Sequence, residues 1–123
     1  MASDEHQELV KKLIDNFKAK GLTILCAAYE GYDECSKQGR HEPDVVAKDS
    51  TGLFYIGEAE TCESLSDEDT GEQFADFSDR IMSSDKRKIP FYIALPKGCE
   101  KELLQTLQDL GIKSRSNIYY FLF

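Results

Sequence analysis

The stretch His41-Glu-Pro-Asp-Val-Val-Ala-Lys-Asp49, then Ser50-Thr51-Gly52, then Leu53-Phe-Tyr-Ile-Gly-Glu-Ala-Glu-Thr61 reads as an apolar β-hairpin, with strands near 43–48 and 53–60. One acid, Asp44, opens the first strand, and two more, Glu58 and Glu60, close the second. Side chains alternate faces along a strand, so Glu58 and Glu60 share a face and Asp44 can meet them across the hairpin. Phe54 and Ile56 precede Glu58 on that face, so the acids continue an apolar row. Burying an unpaired carboxylate costs several kcal/mol or forces it to take up a proton. A cation held between the three would relieve that cost. The bland alternative leaves them at strand ends in solvent, or paired with Lys48 or Arg40.

Outward from the hairpin, the pattern is equally regular. Leu9, Val10, Leu13, Ile14 and Phe17 recur at helical spacing and predict an amphipathic helix over 4–20, capped by Ser3 or Asp4 and stopped at Gly21. Residues 22–28 read as a buried strand and 29–42 as a polar loop. After an acidic loop over 62–69, Thr70 and Gln73 have capping-box spacing, and a helix over 70–84 presents Phe74, Phe77 and Ile81. An apolar strand at 89–95, a helix at 100–110 carrying Leu103, Leu104, Leu107 and Leu110, and an aromatic-rich strand at 117–123 complete the chain. The order α-β-β-β-α-β-α-β implies an α/β fold with a mixed β-sheet flanked by helices. A length of 123 residues suits one domain, 1–123, with one core and no need of a disulfide or metal staple.

The four cysteines, Cys26, Cys35, Cys62 and Cys99, are widely and irregularly spaced and form no C-x-x-C pair, which argues against structural zinc. The Met-Ala-Ser-Asp-Glu start has no basic n-region or apolar h-region, and no apolar run reaches bilayer length, so a cytoplasmic protein off the membrane is expected. There the thiols would be reduced, with Cys26 and Cys62 as small core residues. A net charge of −8 disfavours a broad nonspecific grip on nucleic acid. It leaves room for local basic surfaces, either Lys86-Arg87-Lys88 or Lys11, Lys12, Lys18 and Lys20, which read equally as solvated faces.

The element order and the placement of the acids together resemble the PD-(D/E)xK nuclease superfamily, with its restriction-endonuclease-like fold. The shared α-β-β-β-α-β core would cover residues 4–95. Pro43-Asp44 matches the first motif, and Glu58-Ala59-Glu60 matches the second except that Glu60 replaces the usual Lys. The resemblance implies hydrolysis of DNA phosphodiester bonds, with Mg²⁺ or Mn²⁺ held by Asp44 and Glu58, and by Glu60 if a second ion binds. It implies that Glu60 orients or deprotonates the attacking water and that Gln73, at a position many relatives fill with Gln, positions water or phosphate. A capping role for Gln73 stays open. Family members often aim an acid from the first helix at the metal. Here His6 lies at the centre of the apolar stripe and Glu5 only at its edge, so His6 is the better-aimed residue. His41, two residues before Pro43, is a candidate for phosphate contact or proton transfer, or a plain surface-loop histidine. Tyr29 and Tyr32 either stack on bases or pack on their own flank. Two other readings stand beside the nuclease. One is a catalytically silent domain of the same fold that binds a protein partner or forms a homodimer, with strand Tyr119–Phe123 pairing across a two-fold. The other is a small α/β protein unrelated to nucleases, whose acids face solvent.

Overall fold

The computed structural model describes residues 4–123; Met1–Ser3, and with them the Ser3 cap, lie outside the described residues. The elements are α1 (Asp4–Ala19), β1 (Thr23–Ala27), β2 (Val45–Lys48), β3 (Phe54–Ala59), a short 3-10 helix (Ser64–Ser66), α2 (Glu68–Phe77), β4 (Phe91–Leu95), α3 (Glu100–Asp109) and β5 (Ile118–Leu122). This is an α/β architecture with one five-stranded mixed sheet in the order β1-β2-β3-β4-β5. It departs from the expected order by the 3-10 helix that occupies the acidic loop. Strands β1, β2 and β3 are antiparallel neighbours, whereas β3, β4 and β5 run parallel through α2 and α3. Among the described residues no helix is long and apolar enough to cross a membrane.

The sheet is covered on both faces. On one, the α1 stripe Leu9, Val10, Leu13, Ile14 and Phe17 packs on Val45, Ala47, Ala59 and Ala94. On the other, Phe74 and Phe77 of α2 and Leu103 and Leu107 of α3 pack on Ile56, Phe91, Ile93 and Leu95. Small side chains line the α1 face because the helix lies close to it. A Cβ added at Gly57 would stand 2.6 Å from Leu13 Cδ2 and 3.2 Å from Phe17 Cε2. The hairpin turn is held by Asp49, whose Oδ1 accepts from the Thr51 and Leu53 amides at 2.8 and 3.2 Å, while Gly52 takes φ 89°.

Several expectations are corrected. The strand at β1 is an edge strand, not a buried one, and Leu25 is 39% exposed. Helix α2 starts two residues before Thr70, with Asp67 as its N-cap residue, so Thr70 and Gln73 lie inside the helix and form no capping box. It ends at Phe77, with Ser78 as its C-cap, and does not run to 84. Beyond it, Asp85 Oδ1 accepts from the Arg87 amide in a local turn that competes with helix. Ile81, expected on the apolar stripe, is exposed and lies in an isolated bridge to Lys88. Leu110 is likewise exposed.

The cysteines are the largest correction. Cys26 is disulfide-bonded to Cys35, and Cys62 to Cys99, with Cα separations of 5.0 and 5.4 Å, so none is a free thiol. Their spacing in sequence is irregular because the partners meet only once the sheet is assembled. The pairing fits an oxidising milieu better than the reducing one expected. Closing a loop of 37 residues, Cys62–Cys99 is worth about 4 kcal/mol by chain entropy.

Gly57→Ala is expected to destabilise the chain by about 1–3 kcal/mol, because Leu13 and Phe17 are fully buried and have no space to yield. Urea unfolding measures this, and an unchanged midpoint would show that α1 does not sit that close to the sheet.

Candidate functional site

Asp44 and Glu58 are cross-strand neighbours at the open end of the hairpin, one step beyond the Val45↔Gly57 pair. Each carboxylate is tied to the other strand's backbone. Glu58 Oε1 accepts from the Asp44 amide at 2.9 Å, and Asp44 Oδ2 accepts from the Ala59 amide at 2.9 Å. His6, at the start of α1, reaches the same oxygen, with Nε2 3.1 Å from Asp44 Oδ2. Glu60 follows β3, its amide donating to the Ala94 carbonyl, and its Oε2 accepts from the Ser64 hydroxyl at 2.5 Å. The Thr61–Ser64 turn that delivers this hydroxyl is closed by reciprocal bonds, Thr61 N–H to Ser64 Oγ and Ser64 N–H to Thr61 Oγ1. These groups open onto a cavity of about 410 Å³, lined by His6, Asp44, Glu58, Glu60, Ser64 and Gln73 among others. A larger cleft of about 630 Å³ borders α2 and α3, but its acids, Asp67, Glu68, Glu72 and Asp109, are all exposed.

The structure therefore brings together Asp44, Glu58, Glu60, His6 and Gln73. It leaves out the other two candidates. Glu5 is exposed and does not line the cavity. His41 is bound to Asp76 of α2 at 3.0 Å and lies edge-on to Phe77, 6.1 Å away, so it pins the 38–41 turn to that helix. Neither Lys48 nor Arg40 forms an ion pair with the acids; the basic side chain beside them is His6. Tyr32 packs beneath Lys18 and, with Tyr29, against the α1 core, so both tyrosines sit on the domain's own flank. Ser64 escaped the sequence reading. Its only signal there was the Thr61-x-x-Ser64 spacing of a side-chain-closed turn immediately after Glu60.

Glu58 is 4% exposed and Glu60 6% exposed, and burial sets their acidity. The Glu58 carboxyl is held well above its usual range by desolvation, with repulsion from Asp44 and Glu60 adding to it. The Glu60 carboxyl is pushed up to about 7 by burial and by Asp44, against the opposing Ser64 hydrogen bond. The His6 imidazole is raised by its hydrogen bond to Asp44, against burial. Glu60 thus exchanges its proton near neutral pH. Such displaced carboxyls suit acid–base work, and hard, buried carboxylate oxygens suit a divalent cation. Among the described residues no three His, Cys, Asp or Glu side chains stand in ligating geometry. Asp44 Oδ2 and Glu58 Oε1 are instead turned to amides, so metal entry would require at least one carboxylate to rotate. No protein-family model, curated protein or solved structure matches the chain.

Glu60 releases its proton near pH 4.5 when unfolded and near pH 7 when folded. The unfolded state therefore binds fewer protons between those values, and stability falls as pH rises. Glu58 acts in the same direction. His6 does too, since its contribution is present below pH 6.5 and lost as pH climbs through its raised value. In EDTA the melting midpoint should drop between pH 5 and pH 8, the Glu60 share being about 3 kcal/mol, or on the order of 10 °C. Glu60→Gln should flatten that drop; a variant whose melting profile tracks the wild type's would refute the assignment.

Proposed function

We propose that this chain is a divalent-metal-dependent nuclease of the restriction-endonuclease-like fold that hydrolyses DNA phosphodiester bonds. The observation that carries the reading is the convergence of Asp44, Glu58, Glu60 and His6 on one cavity at the end of β3. The framework supports it: an antiparallel β1-β2-β3 meander followed by α2 and a parallel β4 is the arrangement the family resemblance calls for.

Asp44 and Glu58 would hold Mg²⁺ or Mn²⁺, with the Ala59 carbonyl as a further oxygen donor, and the ion would activate a bound water and neutralise charge on the phosphate. Glu60, titrating near 7, is matched to accept the proton of the attacking water at neutral pH. Ser64 fixes the orientation of Glu60. His6, whose proton affinity the hydrogen bond to Asp44 raises, would when protonated bring the positive charge that Glu60 removes by standing in the Lys position and offset the phosphate. Gln73, one helical turn into α2 and facing the cavity, positions water or phosphate.

A second reading has an observation of its own. The mutual clasp of Asp44 and Glu58 on opposite backbones, with no ligating trio among the described residues, fits a catalytically silent domain that serves a partner or a homodimer.

With supercoiled, branched and single-stranded DNA in Mg²⁺ or Mn²⁺, Asp44→Ala and Glu58→Ala should lose cleavage by at least about a hundredfold, and Glu60→Gln by about 10²–10⁴-fold. Wild type and Asp44→Ala behaving alike across that panel would end the nuclease reading. Calorimetry with Mn²⁺ separates the two readings independently of substrate. Heat that Glu58→Ala abolishes supports the nuclease, and no heat from either protein supports the silent domain.

A further inference from the structure

A second surface lies on the α1 face of the sheet, at its β5 margin. Tyr55, Tyr92, Tyr119 and Phe121 point to that face from β3, β4 and β5. Tyr92 stacks on Tyr119 at 4.8 Å and 18°, on Phe121 at 5.1 Å and 17°, and on Tyr55 at 6.1 Å and 28°. The two shorter separations are close to the ~4.8 Å spacing between strands. The rings therefore stand upright on the sheet and stack face to face across it. Helix α1 lies over β1 to β4, and β5 is the sheet's last strand. Tyr119 is 45% exposed, and among the described residues no ring stacks on its outer side.

The ladder is bordered by basic groups. Lys20 Nζ lies 5.4 Å from the Phe121 ring centre and 5.8 Å from that of Tyr92, and Lys12 Nζ lies 5.9 Å from that of Phe123. Both lysines are exposed, and neither belongs to an ion pair among the described residues. Asn16 sits four residues from each, one turn past Lys12 and one before Lys20, which follows the helix end, and its buried Oδ1 has no hydrogen-bond partner. In a chain of net charge −8, cations gathered beside an open stack of rings are a specific feature.

We propose that the outer edge of this ladder binds an unpaired nucleobase, which continues the stack beyond Tyr119 while Lys12 and Lys20 meet the flanking phosphates; Phe121 already meets Phe123 at 5.9 Å and supports the shelf from within. Every base has a π-face, and an aromatic shelf beside ammonium groups is the general chemistry of single-stranded nucleic-acid binding. A base paired inside a duplex is already stacked on both sides and cannot take this place. The alternative occupant is a second copy of this chain paired along β5. Because β3, β4 and β5 are parallel, the carboxylate cavity and Phe123 lie at the same end of the sheet, with the ladder on the opposite face. A strand held on the ladder leads to that end. The inference rests on the nuclease reading for its class of ligand.

Fluorescence anisotropy in EDTA tests it without catalysis, using a labelled single-stranded DNA 12-mer, the same sequence in RNA and a blunt duplex. The two single strands distinguish deoxyribose from ribose and share the proposed chemistry. Single strands should bind at least tenfold tighter than the duplex. Tyr119→Ala should weaken that binding about ten- to a hundredfold, the contribution of one stacked base, and Tyr119→Phe should restore it. Lys20→Gln should weaken binding and make it less salt-sensitive. Circular dichroism verifies that the variants fold. The proposal is overturned by no single-strand binding at 100 µM protein (roughly the weak end of nonspecific affinity), by equal duplex affinity, by an unaffected Tyr119→Ala, or by a dimer that Tyr119→Ala dissociates without loss of oligonucleotide affinity. Oligonucleotide binding without metal-dependent cleavage in the earlier assay would leave the ladder standing and refute the nuclease alone.

Discussion

Two carboxylates clasped at the mouth of a hairpin, Glu58 buried and Asp44 half-buried, are the constraint around which the rest of this molecule is arranged. A carboxyl as enclosed as Glu58 must be paired, protonated or hydrogen-bonded. The fold combines hydrogen bonding with a raised proton affinity. The Asp44 amide donates to Glu58, the Ala59 amide donates to Asp44, and burial raises the proton affinity of Glu58. The clasp adds side-chain bonds beyond the last backbone pair, Val45↔Gly57, at the open end of the hairpin. Apolar residues of the same volume would hold the strands without that electrostatic penalty, which makes the cluster a costly feature with no evident structural need.

The remaining architecture brings supporting groups to that clasp. Gly57 lets α1 settle onto β3, and the helix then delivers His6 to Asp44. The turn after β3 returns Ser64 to Glu60, and the Cys62–Cys99 disulfide anchors the start of this segment to the N-terminal end of α3. Helix α2 then runs back beside the site and places Gln73 on its wall. Glu60 and Glu58 are chemically alike, but they differ in what surrounds them. Glu58 faces two acids in full burial, whereas Glu60 has a hydroxyl donor and the nearby His6 charge, and settles near neutrality. Two neighbouring carboxyls with different proton affinities are what a division of labour between ligand and base requires.

Local sequence determined a great deal here. Periodicities of 3.6 and 2 located three helices and five strands, because each element must hide one face and its apolar residues record which. Alternation along β3 placed Glu58 and Glu60 on one face, and the arc of the α1 stripe singled out His6 over Glu5. Element ends were less legible. Thr70 and Gln73 carry the letters of a cap, yet the chain turns at Asp67, since the 3-10 helix before it decides where α2 begins. Only the tertiary structure decided which cysteines meet, that β1 and β5 are edges, that His41 belongs to Asp76, and that Tyr119 ends a stack of rings. Each depends on contacts between residues far apart in the chain, and short-range pattern holds no record of those. Proton affinity belongs to the same class: Glu60 is an ordinary glutamate in the sequence, and it titrates near 7 because of what the fold removes from around it, which is water.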